Sequence, residues 1–386
     1  MKSISHRFNS HLFLSVIFLL VLGIVMVYSA SSFKAQEQFS DSHFFLKKHF
    51  VKVLLGIILL VIVAKINYKH WLNWSPILLI LSLCLLLYLI FSNGITEIRG
   101  SKRWIDLGFM NLQPSDFARI SLILFLSLSL GAANFVTPKS KRSFIFHLFI
   151  IALIVTPILL QPDAGSALLI CVIAFTIIFV AGEKLLHLFS LLIIAVPVFL
   201  LYLFRDGYQR VRIMKFINSL QGQNVDWQAL QSLIAFGNGS ILGLGLGGSR
   251  QKYHFLPDPF TDFIFSIVGE ELGLLGTTLV LIIFVVLVWS GIRIAMQAPD
   301  FQGKILGFGL VTSIAVYAFT NMAVVVNLLP TKGIPLPFLS YGGSALLSNL
   351  FAVGVLLNIA DQSRKEHELR PVGSFYAKRK MPGSYD

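Results

Sequence analysis

Charge is what this sequence has least of. Only 13% of its 386 residues are Asp, Glu, Lys or Arg, while 56% are hydrophobic and the mean hydropathy is +0.79. A soluble fold of this size needs far more polar surface to cover its core, so a water-soluble globular protein is excluded. Acids are the scarcer sign, 18 against 31 lysines and arginines. Cys84 and Cys171 lie inside apolar runs and read as small hydrophobes, which excludes a disulfide framework, a zinc site or a redox pair. Low-complexity stretches, a separate soluble domain and a strong internal repeat are also lacking, and the last argues against an inverted-repeat transporter. Outside the apolar runs there is no basic-and-aromatic platform for single-stranded nucleic acid.

What is there is a succession of apolar runs near the ~20 residues that a helix needs to cross a bilayer. They fall at about 11–30, 50–66, 75–93, 116–134, 144–161, 164–181, 185–204, 262–290, 305–328 and 343–360. The expected fold is all-α: a single polytopic membrane domain over 1–386 with ten transmembrane helices. A large extracytoplasmic loop, 205–261, separates the seventh and eighth, and a cytoplasmic tail covers 361–386. The first run follows Lys2 and Arg7 as a signal peptide would, but its length and the runs after it make it the first span. An even number of spans puts both termini on one side, and Arg364, Lys365, Arg370, Lys378, Arg379 and Lys380 make that side cytoplasmic. The bias is slight, because cations also crowd the opposite face in loops 94–115 and 205–261. A basic surface beside a membrane suits lipid headgroups or a phosphate-bearing substrate. Loop 31–49 and the tail read as polar and mobile.

Chemistry concentrates in four stretches. The first is QKYHFLPDPFTDFIFSIVGEELGLLG, Gln251 to Gly276. On an ideal helix Gly269, Gly273 and Gly276 share the face of Asp262, which predicts close packing there and places the acid on the packed side. An acid so placed at a membrane boundary is a functional candidate; capping the helix is the competing role, one that Thr261 would fill equally. In loop 94–115, Lys102, Arg103 and Trp104 follow a glycine turn, with Trp104 also suited to interfacial anchoring. Gln113-Pro114-Ser115-Asp116 then opens a helix on which Asp116 and Arg119 can pair. Gln161–Ser166 is a tight hairpin in which Asp163 caps the next helix. In loop 205–261, Arg205, Arg210, Arg212 and Lys215 precede a short amphipathic or re-entrant helix at Ala229–Phe236. GNGSILGLGLGGSRQK follows, ending in Arg250 and Lys252; it is either a flexible loop or a backbone cradle for phosphate, and it is not a Walker motif. Finally, Asn327 to Leu347 carries Pro330, Pro335 and Pro337, which forbid regular helix. Irregular backbone at membrane depth must lie against protein or a wet cavity, so this segment is expected to line the site, with Lys332 facing it.

Taken together, GSKRWIDLG…QPSD, LQPDAGSAL, QSLIAFGNGSILGLGLGGSRQK…LPDPFTDFIFSIVGEELG and LPTKGIPLPFLSYGGSAL resemble the shape, elongation, division and sporulation (SEDS) family of bacterial cell-wall proteins. The match covers nearly the whole chain, and SRQK, GEELG and PTKG resemble the division members more than the elongation members. The resemblance implies an enzyme of the bacterial cytoplasmic membrane, at the division site, that polymerises lipid II into peptidoglycan glycan strands at the outer face. It implies a class B penicillin-binding protein and other division proteins as partners. It also marks Asp262 as the essential acid of the family's TDF motif and Asp163 as the acid of its PD hairpin. Three departures stand out. Asp258 and Phe260 replace the Glu and His of the usual PExHTDF, Asp116 and Arg119 replace a Glu and a Lys, and Asn327 stands where a small residue is common. Loss of that His implies that the position is not needed for proton transfer.

The chemistry expected is attack of a sugar hydroxyl on an anomeric carbon bearing a lipid diphosphate. Asp262 would be the general base, with Asp116, Arg119 and Asp163 supporting it. Lys102, Arg103, Trp104, Arg210, Arg212, Arg250, Lys252, Lys332 and Ser340 are the candidate substrate contacts. A divalent cation shared by an acid and the diphosphate is compatible with this chemistry, although no ligand cluster requires one. The alternative is a lipid II flippase. Its best support is mid-span His147, Glu270 and Glu271, since a charge at mid-membrane costs ~2.5–3.5 kcal/mol. A pure scaffold would leave Asp262 dispensable.

Overall fold

The computed structural model describes residues 2–92, 103–106, 108, 110–132, 141–205, 207–221 and 226–369. Its elements are α1 (Lys2–Phe39), α2 (Phe44–Lys65), α3 (Tyr68–Phe91), β1 (Ile105–Asp106), β2 (Asn111–Leu112), α4 (Pro114–Ala132), α5 (Lys141–Leu160), α6 (Ala164–Val180), α7 (Leu185–Arg205), α8 (Gly207–Leu220), α9 (Trp227–Gly239), α10 (Ile264–Met296), α11 (Phe301–Val325) and α12 (Ser344–Leu369). The two strands form a small antiparallel hairpin, Ile105 opposite Leu112 and Asp106 opposite Asn111. It was not expected from the sequence, which has room there for only two residues per strand.

Seven helices among the described residues are long and apolar enough to span a bilayer: Ser10–Phe39 of α1, α3, α4, Ser143–Leu160 of α5, α10, α11 and Ser344–Glu366 of α12. Length and apolarity alone therefore do not reach the expected ten. The apolar α6 has 17 residues, and α2 carries Lys47, Lys48 and Lys52 in its first half. Large apolar side chains such as Leu14, Ile77, Phe91, Phe149, Leu186 and Leu274 point outward, as a lipid-facing surface requires, while Leu12, Leu19, Leu86, Ile123, Phe284 and Leu350 fill the interior. Neighbouring helices pair as α1 with α10, α2 with α12, α3 with α4, and α11 with α4, α6 and α10.

Several segments differ from expectation. Loop 31–49 shrinks to 40–43, because 31–39 contains no glycine or proline and α1 simply continues. Likewise α12 runs nine residues into the expected tail, to Leu369; residues 370–386 lie outside the described residues. In α10, Gly273 is non-helical (φ 66°, ψ −163°) and breaks the helix in two. Only glycine adopts that conformation freely. The irregular segment after α11 goes through the interior, with Ile334, Leu336, Phe338 and Leu339 buried. It passes so close to α1 that a Cβ on Gly23 would lie 2.6 Å from the Phe338 carbonyl oxygen.

The short helix expected at Ala229–Phe236 is α9, and its amphipathicity is inverted. Ala229, Gln231, Ser232 and Ala235 are buried, whereas Trp227, Leu230, Leu233 and Ile234 are exposed. The polar seam is used inward: Ser232 Oγ meets Ser266 Oγ of α10 at 2.7 Å and donates to the Val325 carbonyl of α11.

Candidate active site

Asp163 is the best-connected acid. It occupies the turn between α5 and α6, caps α6 by accepting from the Ser166 backbone N–H (3.2 Å), and is 3% exposed. Lys332 Nζ lies 2.9 Å from its Oδ1, and Arg103 Nη1 lies 4.0 Å away. Arg103 also holds the hairpin itself, donating from Nε to Gln161 O (3.0 Å) and from Nη2 to Pro162 O (2.5 Å). Burial alone would raise the Asp163 pKa; Lys332 and then Arg103 overcome it and hold the carboxyl down at about 2. Lys332 reaches this position because residue 165 has no side chain. A Cβ on Gly165 would fall 1.7 Å from Lys332 Nζ.

Asp116 and Arg119 lie in the first turns of α4, both buried, with Arg119 Nη2 3.8 Å from Asp116 Oδ1. The other carboxylate oxygen of Asp116 accepts from Ser344 Oγ (2.8 Å). Arg119 also donates to Asn349 Oδ1 (3.3 Å) and stacks over the Tyr317 ring at 4.0 Å. Its Nε and Nη1 have no hydrogen-bond partner, which leaves donor capacity unspent beside Asp116. Gln113 ties the two acids together. Its backbone N–H donates to Ser344 Oγ (3.1 Å), and its Nε2 lies 3.4 Å from Asp163 Oδ2.

Asp262 sits differently from the sequence expectation. It precedes α10 in a run of turns, the helix begins at Ile264, and its N-cap is Phe263 without any side-chain cap bond. The ideal-helix face shared with Gly269, Gly273 and Gly276 does not exist, since the helix starts after the acid and breaks at Gly273. Asp262 is half-buried, and its Oδ2 lies 2.9 Å from the place a Cβ on Gly333 would take. That glycine adjoins Lys332, so the carboxylate faces the segment that carries the ion pair. Asn321 fastens this approach: its Nδ2 donates to both Asp262 O and Ile334 O, each at 2.7 Å. Arg212, also half-buried, bears electrostatically on Lys332.

Other sequence candidates go elsewhere. Lys102 lies outside the described residues. Trp104 is half-buried beside Arg103, and Arg210 and Arg250 are exposed. Ser340 Oγ accepts from the Leu336 backbone N–H (2.8 Å) and so closes a local turn. Lys252 is buried in a separate cluster, with Nζ 3.3 Å from Glu271 Oε1 and 2.7 Å from the Gly247 carbonyl. Glu271 also accepts from Ser29 Oγ (2.7 Å) and Ser249 N (3.3 Å). Glu270 accepts from Asn238 Nδ2 (3.1 Å), Gln251 N (3.2 Å) and Ser249 Oγ. The glycine-rich loop is thus strapped to α10. Its N–H groups at Leu244 and Gly245 donate to the Glu270 and Glu271 carbonyls (2.9 and 3.0 Å), so they are not a vacant phosphate cradle. His147 is bonded as well, with Nε2 2.9 Å from Ser129 Oγ.

Sequence reasoning missed Gln113, Asn321, Ser344 and Gly165 as parts of the site. The first and last two stand inside the quoted motifs; Asn321, inside α11, carried no signal. No three His, Cys, Asp or Glu side chains gather at metal-ligand spacing among the described residues.

Comparison with known proteins gives a consistent result. A family profile described as "Cell cycle protein" (FTSW_RODA_SPOVE) matches residues 10–365. A curated protein of Geobacter metallireducens named "Probable peptidoglycan glycosyltransferase FtsW" is 40% identical over 361 residues, covering 93% of this chain and 96% of that protein. The "Stage V sporulation protein E" of Bacillus subtilis is 40% identical over 348 residues, covering 90% and 95%. Among solved structures, a chain of a peptidoglycan synthase complex superposes with a TM-score of 0.73 at 24% identity, covering 91% of this chain and 97% of that one. The rod shape determining protein RodA of Thermus thermophilus superposes at 0.68 and 23% identity, covering 91% and 96%. These two similarities speak to the fold.

Proposed function

Because the chain belongs to the FtsW, RodA and SpoVE family of cell cycle proteins, we propose that it is a peptidoglycan glycosyltransferase in which Asp262 is the general base. It is a multi-pass membrane protein. In this proposal both termini are cytoplasmic, the acids and cations face outward, and the protein works at the division site with a class B penicillin-binding protein. Its substrate is lipid II, a disaccharide-peptide on a polyprenyl diphosphate.

The observation that carries this reading is the meeting of Asp262 with the Lys332 segment across Gly333, next to the Asp163–Lys332–Arg103 group. A hydroxyl is a weak nucleophile, and a carboxylate in reach supplies a base worth ~10²–10⁴-fold in rate. The hydroxyl oxygen bonds to the anomeric carbon as the carbon–oxygen bond to the diphosphate breaks. The proton goes to Asp262, and the diphosphate leaves with the electron pair. Cations fixed at that point stabilise the leaving charge. Lys332 is the best placed, with Arg103 and Arg212 beside it. Asp163 and the Asp116–Arg119 pair orient these groups and do not touch the reacting atoms. A single base serves direct displacement with inversion.

The transport reading drew on mid-membrane Glu270 and Glu271. Glu270 is bound by Asn238, Ser249 and Gln251 of the strapped loop, and Glu271 by Ser249 and Lys252, so neither is left to line a headgroup pathway.

The test compares wild type with Asp262→Asn, each purified with its penicillin-binding partner, for glycan chain formation from lipid II in detergent, where flipping is not required. The expected outcome is chains from wild type and a loss of at least ~10²-fold in the folded variant. Equal product from both would remove Asp262 as the base.

A further inference from the structure

A second group of basic side chains lies beside the segment that leads to Asp262 and takes no part in the mechanism above. His49 and Lys52 share one face of the first turns of α2. His49 is fully buried, and neither ring nitrogen has a hydrogen-bond partner. Lys52 is 7% exposed, has no carboxylate partner among the described residues, and holds Nζ 4.0 Å over the Tyr341 ring. The His49 ring lies 5.8 Å from that same ring. Tyr341 links this corner to the base, because its backbone N–H donates to Phe260 O (2.9 Å), two residues before Asp262. Phe45 and Phe260 close the wall with ring centroids 4.8 Å apart, and Lys34 stands 5.5 Å over Phe260.

Among the described residues no acid forms an ion pair with Lys52. Asp41 is held by Lys47 (2.9 Å) and Glu37 by His254 (2.8 Å). A buried lysine without a counter-ion and a buried imidazole without a partner are each costly. Both costs are relieved if an anion sits between them, accepting from Nζ and from a ring N–H.

We propose that Lys52 and His49 form an anion subsite for a phosphate-bearing headgroup, and that its occupant is the diphosphate of a second polyprenyl-linked saccharide. The second clause rests on the glycosyltransferase reading. Joining two lipid-linked sugars expels one diphosphate and keeps the other on the chain. Two diphosphates must then be held at once, one by the Lys332 group and one here.

The probe is farnesyl diphosphate, titrated calorimetrically into the full-length protein in phosphatidylcholine nanodiscs. Wild type and Lys52→Arg should bind two equivalents, and Lys52→Met one. The equivalent that remains reports that the variant is folded. Two equivalents in Lys52→Met would overturn the subsite. Loss of the same equivalent when phosphatidylglycerol is added to the disc would make the occupant a bilayer phospholipid and overturn its assignment to substrate. In parallel, Lys52→Met should raise the half-saturating lipid II concentration about tenfold, the loss of one charge-assisted bond, with the maximal rate nearly unchanged. A fall in maximal rate alone would instead mark a merely structural role. Should wild type make no glycan yet bind two equivalents, the proposed activity fails and the subsite stands.

Discussion

Replacing Gly165 by alanine adds one methyl group and should dismantle the ion pair on which Asp163 depends. The new Cβ would lie 1.7 Å from Lys332 Nζ, 2.2 Å from Cδ and 2.3 Å from Cε, so the lysine must leave. Of its two cations Asp163 then keeps only Arg103, at 4.0 Å, and its site is 3% exposed. In the native protein its carboxyl is held at about 2 against an ordinary 3.8. At ~1.4 kcal/mol per pH unit, that depression contributes about 2 kcal/mol to stability. Because the folded value is depressed, this contribution is fully present above pH 4 and is lost as the pH falls toward 2. Without Lys332, burial dominates and pushes the carboxyl into or above the ordinary carboxylate range. The acid limb of thermal stability in detergent should therefore rise by about two pH units. Glycan synthesis at neutral pH should fall about a hundredfold, by loss of the cation proposed to meet the leaving group. Lys332→Met should do the same, and the double variant should be little worse than either single one, as expected when two changes remove the same contact. Full additivity of the two effects, or an acid limb that does not move in Gly165→Ala, would refute the reasoning.

The strap on α10 gives a second prediction. Glu271→Gln leaves Lys252 buried and unpaired, at a cost of ~3–5 kcal/mol in melting experiments, and adding Lys252→Met should return part of it. Asn321→Ala removes both bonds that clamp the Asp262 and Ile334 carbonyls. The maximal rate should drop about tenfold while half-saturation by lipid II changes little, since each bond is worth ~1 kcal/mol and neither touches substrate. Gly273→Ala puts a Cβ 2.4 Å from Gly243 N on a backbone with φ 66°. The glycine-rich loop should detach, read as faster proteolytic cleavage within 237–252.

How much of this was legible depended on the reach of each signal. Membrane residence, the helix starts at Pro114 and Ala164, and the irregular proline segment were visible because each rests on composition or on one turn of chain. Asp163 and Lys332 stood out as charged residues in apolar surroundings, but nothing local says that they meet. The meeting needs Gly165 to face a lysine 167 positions away. Lys252 misled for the same reason: its counter-ion, Glu271, is 19 residues on, across a loop whose path no periodicity encodes. The face argument for Asp262 failed because it assumed continuous helix where Pro257 and Pro259 end regularity before the acid and Gly273 ends it after.

The inverted helix α9 works like a float. Its oily outer skin seeks the depth at which the bilayer changes from acyl chain to headgroup, and its polar seam is the mooring line. That line runs through Ser232 to Ser266, four residues past Asp262. A bilayer that thickens or thins would therefore load, through this one hydroxyl contact, the first turn of α10 just past Asp262.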